Sequence, residues 1–265
     1  MADQRTTLRN AAHGPKVVAQ DIMEESSTQK HRLGERLVLG DRVFRYAKAG
    51  AVNLTAGYHT QSNVSLNLWV PHGSAITEGT VRVTTSGTAV STADQYAEGY
   101  AVIRMGGGVG NTYKIKNNNV SVGAVTTWTL YEPLETTLVI TTTTGMSVTN
   151  RYSGVLVGAT GTYASDPVGV PIVDVQANYY FWAQTWGPCG CLIGGLTLGA
   201  DALTELILTN DTATAGALAP SMITSTGTGA QTSLQLNMPI AKSYLVRANS
   251  ATTATVNVVS LIIDP

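Results

Sequence analysis

The run Gly106-Gly107-Gly108-Val109-Gly110 has the composition of a loop that cradles phosphates. Such a loop needs Gly-Lys-Ser or Gly-Lys-Thr opening a helix, or a glycine fingerprint followed by a helix and a downstream acid. Here the next segment is Thr112-Tyr113-Lys114-Ile115-Lys116, which alternates like a strand. The run therefore reads as a hairpin loop. His72-Gly73-Ser74 and the scattered acids Asp94, Glu98, Asp166 and Asp174 supply hydrolase residue types. Nucleophilic catalysis needs a nucleophile on a strained elbow and a histidine oriented by a carboxylate, and no GxSxG occurs. His13, His31, His59 and His72 lack metal-ligand spacing, and no carboxylate pair stands out for glycoside hydrolysis. The reading is a chain without catalytic residues, cofactor or metal.

Residues 179–191 (YYFWAQTWGPCGC) are the densest aromatic stretch in a chain with four Trp and two Phe. They could form a sugar-stacking platform. On a strand, Tyr180 and Trp182 share one face while Tyr179, Phe181 and Ala183 share the other. Apolar groups on both faces indicate burial between layers or at a subunit contact. Residues 179–186 are expected to form a central strand that ends at a Gly187-Pro188 turn. Cys189 and Cys191, one residue apart, read as reduced thiols because a disulfide at that spacing is strained. Phe44, Tyr46, Tyr180, Phe181, Trp182 and Trp186 are the candidate core or subunit-contact residues.

Charge is sparse, at 12% of residues, and net −1. A surface this poor in charge suits a subunit whose faces neighbours cover. Residues 1–48 hold nine of the 16 Lys+Arg and six of the 17 Asp+Glu, a net of +3; the remainder is −4. Arg5, Arg9, Lys16, Lys30, Arg32 and Arg36 are the candidate docking cations of a polar arm over residues 1–32. They are interspersed with Asp21, Glu24, Glu25 and Glu35 and lack interleaved aromatics, so an acidic protein surface fits better than nucleic acid. No apolar stretch reaches membrane-spanning length, and residues 1–20 lack a secretory leader pattern.

The elements that position these groups are mostly strands. Residues 37–39 and 43–46 flank Gly40-Asp41, the signature of a tight hairpin. In the second run Phe44 and Tyr46 share one face and Val43 and Arg45 the other. Further strands are expected over 64–70, 79–85, 100–105, 112–116, 126–131 and 138–144. Asn117-Asn118-Asn119 reads as a turn, and residues 92–99 as one helical turn. A second β section begins near 152 and includes 155–157, 170–175, 191–196, 206–209, 233–237, 244–248 and 255–263. The fold expected is all-β: an extended arm (1–32), an N-terminal β section with the entry hairpin (33–151) and a C-terminal β-sandwich or barrel section (152–265).

Several segments, taken in order, resemble a family of tailed-phage virion proteins encoded beside the major capsid protein. These are LGERLVLGDRVFRYAKAGAVNLTAG, STADQYAEGYAVI, GGGVGNTYKIKNN, TLYEPL, RYSGVLV and DPVGVPIVDVQANYYFWAQTWGPCGCLI. The resemblance runs from Leu33 to the C-terminus and is weakest over residues 200–237. It implies a decoration or cement protein on the capsid exterior, made in the host cytoplasm. The implied partners are the major capsid protein and further copies of the chain, as a trimer. It carries over no catalytic residue. The alternative is a head-fibre or tail component binding host-surface glycans.

Overall fold

The computed structural model of the chain describes residues 20–63, 66–69, 73–87, 90, 92–139, 145–159, 165–194, 207–211, 214–220, 240–243 and 255–265. The fold is all-β, with no helix among the described residues. Three strands come first: β1 (Arg36–Leu39), β2 (Arg42–Ala49) and β3 (Thr60–Gln61). Six follow: β4 (Leu66–Trp69), β5 (Arg82–Gly87), β6 (Tyr100–Met105), β7 (Thr112–Asn118), β8 (Val125–Leu130) and β9 (Gly145–Thr149). The remainder are β10 (Ser153–Val157), β11 (Pro167–Pro171), β12 (Tyr180–Ile193), β13 (Ile207–Asn210), β14 (Leu218–Pro220), β15 (Ala241–Ser243) and β16 (Thr255–Ile262).

These strands divide into two compact units. Met1–Gln61 and Val155–Pro265 form one, and Ser62–Gly154 is inserted between its halves. The entry hairpin thus belongs with the C-terminal strands, because β2 pairs antiparallel with β12 over Tyr180↔Lys48 to Trp186↔Val43. A boundary placed at 33–151 and 152–265 separates partners that only the fold brings together. The hairpin itself is as the sequence indicates, with Leu39 opposite Arg42 and Gly40 at φ 65°.

In the two-part unit, β12 is the spine. Its 14 residues pair with β2 and β11 along the first half and with β16 and β14 along the second. Two circuits of pairing therefore close through it: β2-β10-β3-β11-β12, and β12-β14-β13-β15-β16. The second surrounds Val170, Cys189, Cys191, Ile193, Leu208, Leu218, Ile240, Val259 and Leu261. Both cysteines carry free, buried thiols there and pack as small apolar fillers.

The strand does not stop at Gly187-Pro188. Thr185 forms a bulge between Gln184↔Phe44 and Trp186↔Val43, and pairing resumes with Gly187↔Leu261 and Pro188↔Ser260. Gly187 takes φ 83°, and a Cβ there would collide with the carbonyl oxygen of Asp41. Gln184 Nε2 donates to the carbonyls of Trp186 (3.1 Å) and Pro188 (2.7 Å), bracing the bend. Gly and Pro together look like a stop, but at a bulge they redirect a strand that a new partner continues.

The inserted unit is a closed antiparallel barrel in the order β4-β5-β8-β7-β6-β9. Alternate residues point inward: Val83 on β5, Ala101 and Ile103 on β6, Tyr113 and Ile115 on β7, Trp128 on β8 and Met146 and Val148 on β9. The fully buried Trp128 donates Nε1–H to Thr85 Oγ1 at 2.8 Å, so its polar tip is satisfied. Asn118 ends β7 instead of forming a turn, and its buried Oδ1 accepts from Tyr96 N at 2.9 Å. Residues 92–99 are non-helical turns with Asp94 and Glu98 at φ 58° and 64°. The ordinary β propensity of Thr126–Leu130 and the 100–105 run is legible, whereas the strand that precedes β10 is β9, Gly145–Thr149, and not the run expected at 138–144. Of that run, Leu138 forms an isolated bridge with Ile76 and 140–144 lie outside the described residues. The strands expected at 233–237 and 244–248 also lie outside them.

Candidate functional site

A polar segment is fastened to β2 and β12, with Gln20 at the centre of the contacts. Gln20 Nε2 donates to the Tyr180 carbonyl at 3.0 Å and to the Glu24 carbonyl at 2.9 Å. Its Oε1 accepts from Tyr46 Oη at 2.6 Å, and its backbone carbonyl accepts from Trp182 Nε1 at 3.1 Å. Tyr46 Oη in turn accepts from Lys30 N at 3.1 Å. Ser26 and Tyr180 exchange both backbone hydrogen bonds, at 2.9 and 2.8 Å. Ile22 is buried. The His31 ring rests 5.1 Å from Tyr46 and 4.9 Å from Trp182, with Nδ1 3.2 Å from Glu35 Oε1. Burial pushes the Tyr46 phenol up to about 12, so the hydroxyl stays protonated and keeps donating to Gln20.

The arm expected over 1–32 is thus corrected from Gln20 onward: residues 20–32 are part of the body. Polarity hid this, because Gln20 acts through hydrogen bonds and only Ile22 contributes apolar burial. Docking leaves Lys30, Arg32 and Arg36 exposed beside one another in the chain. Arg5, Arg9 and Lys16 lie outside the described residues.

The aromatic candidates separate by exposure. Phe44, Tyr46, Phe181 and Trp182 are fully buried, and Tyr180 is half-buried, stacked 6.0 Å from Tyr46 with Lys48 Nζ 5.3 Å from its ring. With its ring buried and its N–H spent on Gln20, Trp182 offers no stacking face to a ligand. Trp186 differs: it is 37% exposed. Across the β12–β16 register it stands opposite Ile262, while Gly190 faces Val258 and Leu192 faces Val256. Directly opposed residues share a face. That outer face therefore carries Trp186, Pro188, Val258 (63% exposed) and Val256 (60% exposed), with Ser260 as its one hydroxyl. Alternation in TVNVVSLI gives no warning of this, because β16 is apolar on both faces: Val259 and Leu261 point into the core.

The residues weighed for catalysis do not converge. His72 lies outside the described residues, Asp174 Oδ1 accepts from Ala56 N at 2.9 Å, and Asp94 and Glu98 sit in the barrel turns. The Gly106–110 run closes the β6–β7 hairpin through Gly110 N to Ile103 O at 2.7 Å. Among the described residues no three His, Cys, Asp or Glu are grouped to hold a metal, and no helix is long and apolar enough to cross a membrane. No protein-family model, curated protein or solved structure matches the chain.

Proposed function

We propose that this chain is a non-enzymatic virion protein that binds the outer surface of a phage capsid and stabilises it, acting as a homotrimer on the major capsid protein. The observation that carries the reading is the solvent-facing row of Trp186, Pro188, Val256 and Val258 on β12 and β16. An apolar strip on a chain with only 12% charged residues is suited to lasting contact with another subunit. The order of the family-like segments from Leu33 onward supports the same reading. So do the exposed cations Lys30, Arg32 and Arg36, which suit an acidic neighbour. Stabilisation would come from binding free energy spread over many contacts, without turnover.

The test is reconstitution on shells stripped of the chain. Val258→Glu, at a position 63% exposed, and Trp186→Glu each place a charge on the row, and each is expected to weaken shell attachment at least tenfold. Removing residues 1–19, which carry Arg5, Arg9 and Lys16, is expected to weaken attachment while melting of the body stays unchanged. Virions lacking the chain, or stripped shells that keep full thermal stability, would reject the reading.

A further inference from the structure

On the barrel, three side chains form a row that the proposed capsid contact does not use. Tyr100 on β6 stands directly opposite Lys114 on β7. Tyr131, just past β8, donates its backbone N–H to the Lys114 carbonyl at 2.9 Å, which sets it on the far side of Lys114. Tyr100 is 48% exposed and Tyr131 43%, while their strand neighbours Ala101 and Leu130 are buried. The two phenols thus flank Lys114 on the outer wall, two strand spacings or about 10 Å apart.

One carboxylate holds the row in place. Tyr131 Oη donates to Glu98 Oε1 at 2.5 Å, and Glu98 Oε2 lies 3.3 Å from Lys114 Nζ. The same Nζ sits 5.8 Å from the centre of the Tyr100 ring. Glu98 is itself fixed at φ 64°, its N–H donating to the Ile115 carbonyl at 2.9 Å. Half-exposed aromatic rings are usually free to turn; the bond to Glu98 restrains Tyr131, so less side-chain entropy remains to be lost there on binding.

We propose that this row is a binding site for a neutral oligosaccharide. Sugar rings present C–H faces that stack on phenol faces and hydroxyls that need donors and acceptors between them. Here the phenols supply the faces and the one-third-exposed Lys114 supplies the polar group between them, while the largely buried Glu98 holds Lys114 and Tyr131 in place. A protein partner's anchor would instead require a dry apolar pocket, and the space between these rings is occupied by an ammonium and a carboxylate. Charge selects the sugar class. Glu98 and the neighbouring Glu132, whose Oε2 accepts from Lys114 N at 3.1 Å, balance Lys114 and the exposed Lys116. That leaves no net positive field for a sulfated or sialylated chain. The spacing is wider than one pyranose spans, which selects an oligosaccharide over a monosaccharide. The site stands independently of capsid attachment.

The test uses the full chain with neutral hexose oligosaccharides from dimer to hexamer, and with heparin-derived and sialylated oligosaccharides as the anionic arms. Calorimetric titration should show binding of a neutral oligosaccharide. Tyr100→Ala and Tyr131→Ala should each weaken it roughly fivefold to tenfold, and Tyr100→Phe should retain it within about twofold. NMR titration of the unsubstituted chain should shift resonances of Glu98, Tyr100, Lys114 and Tyr131, a readout independent of how the alanine variants fold. No binding to any neutral oligosaccharide would overturn the proposal. So would preference for the anionic probes, or shifts confined to other residues. Loss of glycan binding in Tyr100→Ala with unchanged shell attachment separates this site from the capsid contact.

Discussion

His59 shows how burial converts one ionisable group into a pH dependence. Its side chain is fully buried, and a Cβ on Gly158 would occupy the space of its ring. Desolvation pushes the imidazole down to about 4 from an ordinary 6.5, only partly opposed by the hydrogen bond with Gly216. The folded chain therefore keeps His59 neutral where the unfolded chain already binds a proton. The sign follows: this contribution to stability is complete above about pH 6.5 and declines as pH falls from 6.5 towards 4. At the acid limit the lost contribution is roughly 3 kcal/mol. Urea unfolding at about pH 7 and about pH 4.5 should give a smaller difference for His59→Gln than for the unsubstituted chain. Equal differences in the two proteins would refute the assignment. Nothing in the sequence distinguishes His59 from His31, which differs by resting on Tyr46 and Trp182 near the surface; the difference is made entirely by tertiary packing.

The continuity of β12 depends on Gly187. Its φ of 83° strains any L side chain, and the Asp41 carbonyl fills the position of a Cβ. Gly190, three residues on, is exposed with only Val256 Cγ1 at 3.5 Å from a Cβ position. Gly187→Ala is expected to cost about 2 kcal/mol or more, and Gly190→Ala well under about 1 kcal/mol, read from thermal or urea melts. Similar melts for the two variants would mean that the bend tolerates a side chain. The contrast also explains what was legible in the sequence. Alternation located the 179–186 and 191–193 portions of the strand and the Gly40-Asp41 hairpin, because period and turn chemistry are local properties. It could not show that Thr185 is a bulge and that Gly187-Pro188 continues into pairing with β16, since that depends on a partner some 70 residues away. The fastening of residues 20–32 was hidden for a similar reason. A glutamine that meets Tyr46, Trp182 and Tyr180 leaves no periodic trace.

The chain is a split β unit interrupted by a closed barrel, and the junction explains how one chain accommodates both. The barrel segment starts at Ser62 and ends at Gly154. Its two ends meet: a Cβ on Gly154 would lie 3.4 to 3.9 Å from the side chain of Asn63. An inserted segment whose ends are adjacent imposes little loop-closure entropy on the unit that carries it, and its own strands close without borrowing from outside. On the other side, Gln61 pairs with Leu156 in the β3–β10 ladder, so the carrier strands are already side by side where the insertion leaves and returns. Replacing residues 62–154 by a short Gly/Ser turn should therefore leave a folded carrier unit with its β2–β12 and β12–β16 pairing intact. Residues 62–154 expressed alone, with Trp69→Phe so that Trp128 is the single tryptophan, should fold as a barrel with Trp128 buried and its fluorescence shielded from quenchers. Amide-exchange protection along β12 in the shortened chain, and quenching of Trp128 in the isolated barrel, provide the measurements. Loss of protection along β12 would show that the carrier needs its insertion to fold. If both pieces fold, glycan binding should travel with the barrel and shell attachment with the carrier, because Tyr100, Lys114 and Tyr131 lie in one and Trp186, Val256 and Val258 in the other.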